Sequence, residues 1–172
     1  MVMKVFRNVG ALAAVIALAE TVTAQCLVTE WAKLTPPAAV AGDRSGTAVA
    51  LSGDVLVVGA PYATVNGIGS GAADVFRRVA GVWTHEVRLA PSVVDGGDEF
   101  GKDVDVDGDT IVVGAHNGGG ARYGYVFVYR HGSSGWTEEA HFRAANPGIN
   151  DHIGYSVAID GDWIVSGGPG YG

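Results

Sequence analysis

Residues 101–106 alternate Asp103 and Asp105 with Val104 and Val106, a period of two that predicts a half-buried strand. Asp107-Gly108 comes next, followed by the apolar run Ile111-Val112-Val113. Two strands separated by Asp-Gly predict a tight hairpin, because that dipeptide tolerates the positive φ angles of the turn. The same succession occurs at Ser52-Gly53 before residues 55–58, and at Asp160-Gly161 before Ile164-Val165. A glycine-rich loop, residues 66–71 in one place and 116–120 in the next, leads to a third predicted strand at 125–130. Residues 132–135 turn the chain again, and a fourth strand is predicted over 136–142.

These patterns recur in register. Residues 46–61, 101–116 and 154–169 align without a gap, at offsets of 55 and 53. Leu34, Leu89 and Phe142 each lie twelve residues before the first glycine of a segment, and Trp83 and Trp136 lie eighteen before it. Residues 72–77 and 124–129 match at Val75-Phe76 and Val126-Phe127. Four short strands in a unit of about 54 residues is the content of one β-propeller blade, which buries its faces against its neighbours.

The motif resembles the FG-GAP repeat family, best known from the propeller of integrin α subunits. Its two halves stand as Phe100-Gly101 and Val113-Gly114-Ala115-His116 in the second unit, and as Gly59-Ala60-Pro61 in the first. The first unit carries Ser45-Gly46, and the third carries Ile153-Gly154 with Gly167-Gly168-Pro169; His116 replaces the family's proline. The resemblance implies an all-β fold, a partial β-propeller of four-stranded antiparallel blades with about 2.5 repeats, following an N-terminal signal helix. The expected organisation is a signal peptide over 1–24, a lone closing strand within 25–41, blades over 42–95 and 96–149, and a partial blade over 150–172. Two and a half units fall short of a closed ring, so the sequence reads as part of a longer one, with edges exposed to self-association.

The N-terminus changes the expected compartment. Lys4 and Arg7 precede an apolar run over residues 9–19, and Val22-Thr23-Ala24 stands before Gln25, the layout of a secretory leader. Eleven apolar residues are too few for a bilayer span, which takes about 20. Gln25 before Cys26 is a poor fit to the small residue a lipidated cysteine follows, and a single cysteine allows no intrachain disulfide. The expected localisation is secreted, cell-surface or periplasmic. The formal net charge is −7, or −8 without Lys4, Arg7 and Glu20, which excludes a nucleic-acid partner dependent on a basic surface.

Candidate chemistry is sparse. Asp103, Asp105, Asp107 and Asp109 suggest a Ca²⁺ loop, since calcium takes six to eight oxygens with carboxylates at alternate positions. The ninth position counted from Asp103 is Ile111 and from Asp105 is Val113, so no closing ligand follows, and solvent-facing aspartates around a hairpin are expected instead. His85, His116, His131, His141 and His152 show no metal-ligand spacing and are expected at exposed strand and loop positions. Asp95, Asp98 and Glu99 could form an acid and base pair. Asp43-Arg44 and Asp151-His152 occupy the same place in their units, which favours a repeated turn device. Trp83 and Trp136 could stack on sugars, but their shared register favours packing. Asp74, where the second unit has Tyr125, departs from the repeat.

Two functional classes fit. The first is a secreted, non-enzymatic module of extracellular interaction or adhesion whose partner is a protein or glycan, with no catalytic residues and no cofactor. The alternative is part of a secreted carbohydrate-active hydrolase or lyase built on a propeller, which a carboxylate pair departing from the repeat on one face would support.

Overall fold

A computed structural model describes residues 3–8, 28–93 and 95–170. The chain separates into two compact units, Val2–Thr35 and Pro36–Gly172. In the first, β1 (Met3–Asn8) pairs antiparallel with β2 (Val28–Leu34), with a register irregularity between Val5 and Phe6. The strand expected at residues 28–34 is therefore formed, and it has a partner. Of residues 1–24 only β1 is described, and it is extended where a signal helix was expected. β-branched and aromatic residues such as Val5 and Phe6 suit a strand, and the ladder to β2 satisfies their backbone groups. The apolar run over 9–19, the expected cleavage positions Val22-Thr23-Ala24 and Cys26 lie outside the described residues.

The second unit is a partial β-propeller. β3 (Val49–Ser52), β4 (Val55–Ala60), β5 (Ala72–Val79) and β6 (Val82–Leu89) form an antiparallel sheet in chain order. β7 (Val104–Asp107), β8 (Thr110–Ala115), β9 (Tyr125–Gly132) and β10 (Gly135–Phe142) repeat it, and β11 (Ser156–Asp160) pairs with β12 (Trp163–Gly167) to begin a third blade. The inner strand of the second blade begins at Val104, three residues later than the alternation suggests. Gly101 sits at φ 87°, and the Lys102 N–H turns back to the Glu99 carbonyl at 3.0 Å, so the chain is still in a turn there.

Alternation within each strand now has a physical meaning. Val55, Val57, Ala73 and Val75 of the first blade meet Ile111, Val113, Phe127 and Tyr129 of the second in one buried cluster. Val112, Val126 and Val128 point the opposite way and pack with Val157 of β11, with Ile153, Ile159 and Ile164 at the margin. The central strands β4 and β8 are buried along their whole length because both faces are covered, which is why they read as continuous apolar runs. Phe100 enters the first cluster fully buried, its ring edge-on to Phe127 at 5.2 Å and to Tyr129 at 6.1 Å.

Adjacent blades touch through backbone. A Cβ added at Gly59 would overlap the Gly101 carbonyl, and one at Gly114 would overlap the Gly154 carbonyl. Beside each contact a parallel bridge joins the blades, Gly71 to Phe100 and Gly124 to Ile153. The Phe100 N–H donates to the Ser70 carbonyl at 2.8 Å and the Ile153 N–H to the Tyr123 carbonyl at 3.1 Å. Gly114→Ala is expected to cost at least about 3 kcal/mol, because backbone must yield to the added methyl. Gly161→Ala, at φ 55° with open space around it, is expected to cost only about 1 kcal/mol. Urea denaturation of both variants checks the ordering, and equal costs would refute the contact as the determinant.

Candidate functional site

The blades have two different ends. Hairpin turns lie at one, formed by Gly53-Asp54 and Gly108-Asp109. They fall one residue later than the Asp-Gly pattern placed them, because Ser52 and Asp107 still pair with Val55 and Thr110 and only the glycine takes positive φ. There the Gly108 N–H donates to Ser52 Oγ at 3.1 Å. The loops between second and third strands gather with the connections between blades at the other. There Gly97 N–H reaches the Gly69 carbonyl at 2.9 Å, Asn117 N–H the Asp98 carbonyl at 3.2 Å and Asn150 N–H the Ala121 carbonyl at 3.1 Å.

A turn recurs at this second end in all three units. Asp43 accepts from the Val40 N–H at 3.0 Å, Asp98 from the Asp95 N–H at 2.7 Å and Asp151 from the Gly148 N–H at 2.5 Å. The next residue is left-handed each time, Arg44 at φ 52°, Glu99 at 58° and His152 at 55°. Asp95, Asp98 and Glu99 therefore belong to a repeated turn. Burial, followed by the neighbouring Asp95 charge, pushes the Asp98 carboxyl up, against the lowering effect of the Asp95 N–H.

The aspartates of the second inner strand are not simply solvent-facing, which corrects the expectation for Asp103, Asp105 and Asp107. Their carboxylates accept the backbone N–H groups of Val157, Ile159 and Gly161, each at 2.8 Å. Side chains at alternate positions, from the residue before β7 to its end, thus reach alternate donors along β11 and the turn after it, two residues apart in both. Asp109, in the turn itself, is exposed and offers its carbonyl to the His131 N–H at 2.9 Å. Asp105→Ala is expected to cost about 1–3 kcal/mol by orphaning the Ile159 N–H. Thermal melts with added calcium and with chelator are expected to coincide; a calcium-dependent rise abolished in the variant would restore these aspartates as ligands.

The remaining sequence candidates separate. Asp74 is fully buried and meets His85 Nε2 at 2.9 Å, Arg88 Nε at 3.0 Å and Arg88 Nη2 at 2.9 Å. Arg88 Nη1 also donates to the Ala38 carbonyl at 3.3 Å, so this departure from the repeat clamps the segment before the first blade to its outer strands. Trp136 packs against the main cluster, and Trp83 lies beneath the Arg78 guanidinium at 5.5 Å. His131 and His141 face Glu86 and Glu138 at 3.3 and 3.0 Å. Among the described residues, no three His, Cys, Asp or Glu side chains gather as a metal-binding group.

His116 was expected to be exposed and is instead buried, because it occupies the proline position against the next blade. It lines a cleft of about 180 Å³ with His152, Tyr155 and Pro169. Its ring stands 5.4 Å from His152 and 5.2 Å, edge-on, from Tyr155. Glu99 Oε2 lies 3.9 Å from His116 Nε2, and Asn117 Nδ2 braces the other Glu99 oxygen at 3.0 Å. Neither the cleft nor the joining of His116 to His152 is legible in the spacing; the replacement of proline was the only signal. Burial above all pushes the His116 imidazole below its ordinary range; Glu99 opposes this, and Lys102, His152 and Arg122 add to the lowering. An unfolded chain therefore takes up this proton first as pH falls, and stability is lost as pH drops below about 6.5. The difference between the stability–pH curves of the wild type and His116→Pro is expected to show that acid-side loss, and a flat difference would exclude it.

Comparison with known families agrees with this geometry. The model of the FG-GAP repeat matches residues 28–76, 83–129 and 136–171. Each match begins in a strand preceding a junction glycine, β2, β6 or β10, and covers the glycines that meet between blades. No curated protein matches the chain. Repeat sequence, sheet order and glycine junctions together show that the chain belongs to the FG-GAP repeat family.

Proposed function

We infer that the protein is an extracellular, non-enzymatic binding module whose long-loop end engages a protein or glycan. The observation that carries this is the distribution of difference among the units. Their strands, hairpin turns and junction glycines repeat, whereas the loops over 61–71 and 116–124 and the left-handed residues Arg44, Glu99 and His152 change chemistry at one end. Loops held on a rigid scaffold are the usual place for recognition. The carboxylates Asp43, Asp74, Asp98, Asp103, Asp105, Asp107 and Asp151 are engaged in holding turns and blades, which accounts for them without catalysis. Membership of the family supports a scaffold and leaves the ligand to the loops.

Export is supported by Lys4, Arg7, the apolar run over 9–19 and Val22-Thr23-Ala24. Removal of the leader after Ala24 takes β1 from β2, so the mature chain has a free strand at Val28–Leu34. Expression in a secreting host is expected to yield a product beginning at Gln25, read by intact mass; retention of Met1 would exclude this processing. The chain is expected to bind members of a glycan and matrix-protein array without consuming them. Release of new reducing ends from a polysaccharide by the pure protein would overturn the non-enzymatic reading.

A further inference from the structure

The junction between the second and third blades differs chemically from the one before it, and the differences meet at one cleft. Its parts come from equivalent positions of successive units. His116 and Pro169 at the proline position, His152 at the left-handed position and Tyr155 after the junction glycine line it. Glu99 and Lys102, the second unit's residues at those last two positions, stand beside that lining. In the first unit the proline position holds Pro61, fully buried, and the left-handed residue Arg44 lies over the Tyr62 ring at 4.3 Å. Substituting histidine for proline therefore places a polar ring in a slot that packing alone fills in the first unit.

The donors and acceptors of the cleft can be assigned. His152 Nδ1 lies 3.1 Å from the His116 carbonyl, which can only accept, so Nδ1 carries the hydrogen. The neutral His152 ring then keeps a free lone pair on Nε2. His116 Nδ1 is buried without a hydrogen-bond partner, the kind of group that calls for a ligand or water. Glu99, at 3.9 Å from His116 Nε2, is too distant for a hydrogen bond to that ring and retains acceptor capacity. Lys102 Nζ lies 4.9 Å from the centre of the Tyr155 ring and enters no ion pair among the described residues. The cleft thus combines flat rings and the His152 Nε2 acceptor in about 180 Å³, room for one pyranose ring, with the Glu99 carboxylate beside its His116 wall and the Lys102 ammonium beside its Tyr155 wall.

Resting on the reading of the long-loop end as a binding face, we propose that this cleft takes a single acidic sugar unit, a hexuronate residue of a polysaccharide. The carboxylate pairs with Lys102, ring hydroxyls donate to Glu99 and His152 Nε2, a hydroxyl serves His116 Nδ1, and the C–H face lies against Pro169 and the imidazoles. A neutral sugar leaves the ammonium unused. A simple carboxylate brings a second negative charge to Glu99 with no hydroxyl to offset it. Only a ligand with both groups uses the whole set.

Calorimetric titration of the full chain with trigalacturonate, a neutral galactose trisaccharide, a glutamate-rich hexapeptide and zinc chloride tests this, with the histidine side-chain NMR signals followed in parallel. Trigalacturonate is expected to bind at least tenfold more tightly than the neutral sugar or the peptide, and to shift the His116 and His152 signals. Lys102→Ala and His116→Pro are each expected to weaken it at least tenfold. Proline is the residue the other two units carry at this position; should that variant fail to fold, Lys102→Ala, a half-buried change of the loop, carries the test. Equal affinity for the neutral sugar, preference for the peptide, or zinc binding at the histidines without any saccharide effect would overturn the proposal. Tight uronate binding indifferent to both variants would overturn this site while leaving the binding-module reading standing; depolymerisation of the uronate would instead remove that reading.

Discussion

The closeness of one glycine to the next governs the rest of this fold. Gly59 lies under Gly101 and Gly114 under Gly154, so that neighbouring sheets approach to backbone contact at their inner ends. That approach lets Phe100 fill the space between the first two blades and lets Ile153 reach the margin of the next cluster. It also brings the inner strands near enough for carboxylates on β7 to reach the N–H groups of β11. A side chain in either glycine row would hold the sheets apart and loosen all three features at once.

Much of this architecture was legible because it follows from local rules repeated in register. The turn glycines marked the hairpins to within one residue, and the continuous apolar run Ile111-Val112-Val113 fixed a strand buried on both faces. What escaped was everything that depends on a neighbouring blade. Asp103, Asp105 and Asp107 read as solvent-facing because alternation distinguishes one face from the other and says nothing of a donor some 54 residues away. His116 read as an exposed loop residue because its burial comes from the following unit. The extended state of Met3–Asn8 likewise depends on pairing with Val28–Leu34, a partner that the charge and hydropathy of residues 1–24 do not reveal.

The turn that ends each connection separates structural from chemical demands. Asp43, Asp98 and Asp151 close it through a side-chain hydrogen bond, and the residue after each is free to be Arg44, Glu99 or His152. The left-handed backbone there is set by the turn, at similar φ for three unlike side chains. A cationic, an anionic and an imidazole group are thereby presented from one backbone geometry, and in the second and third units two of them converge beside His116.

The one-sidedness of the carboxylate ladder has a consequence for the order of the units. The second blade presents Asp103, Asp105 and Asp107 to the third, whereas the first presents Ala48, Ala50 and Ser52 at the equivalent positions to the second. The two junctions are built alike in backbone and unlike in chemistry, so the blades are not interchangeable parts. Exchanging the first and second units would leave the Val157 and Ile159 N–H groups facing alanines in place of the carboxylates that accept from them. The chain therefore carries, in its inner strands, a seating order as well as a shape.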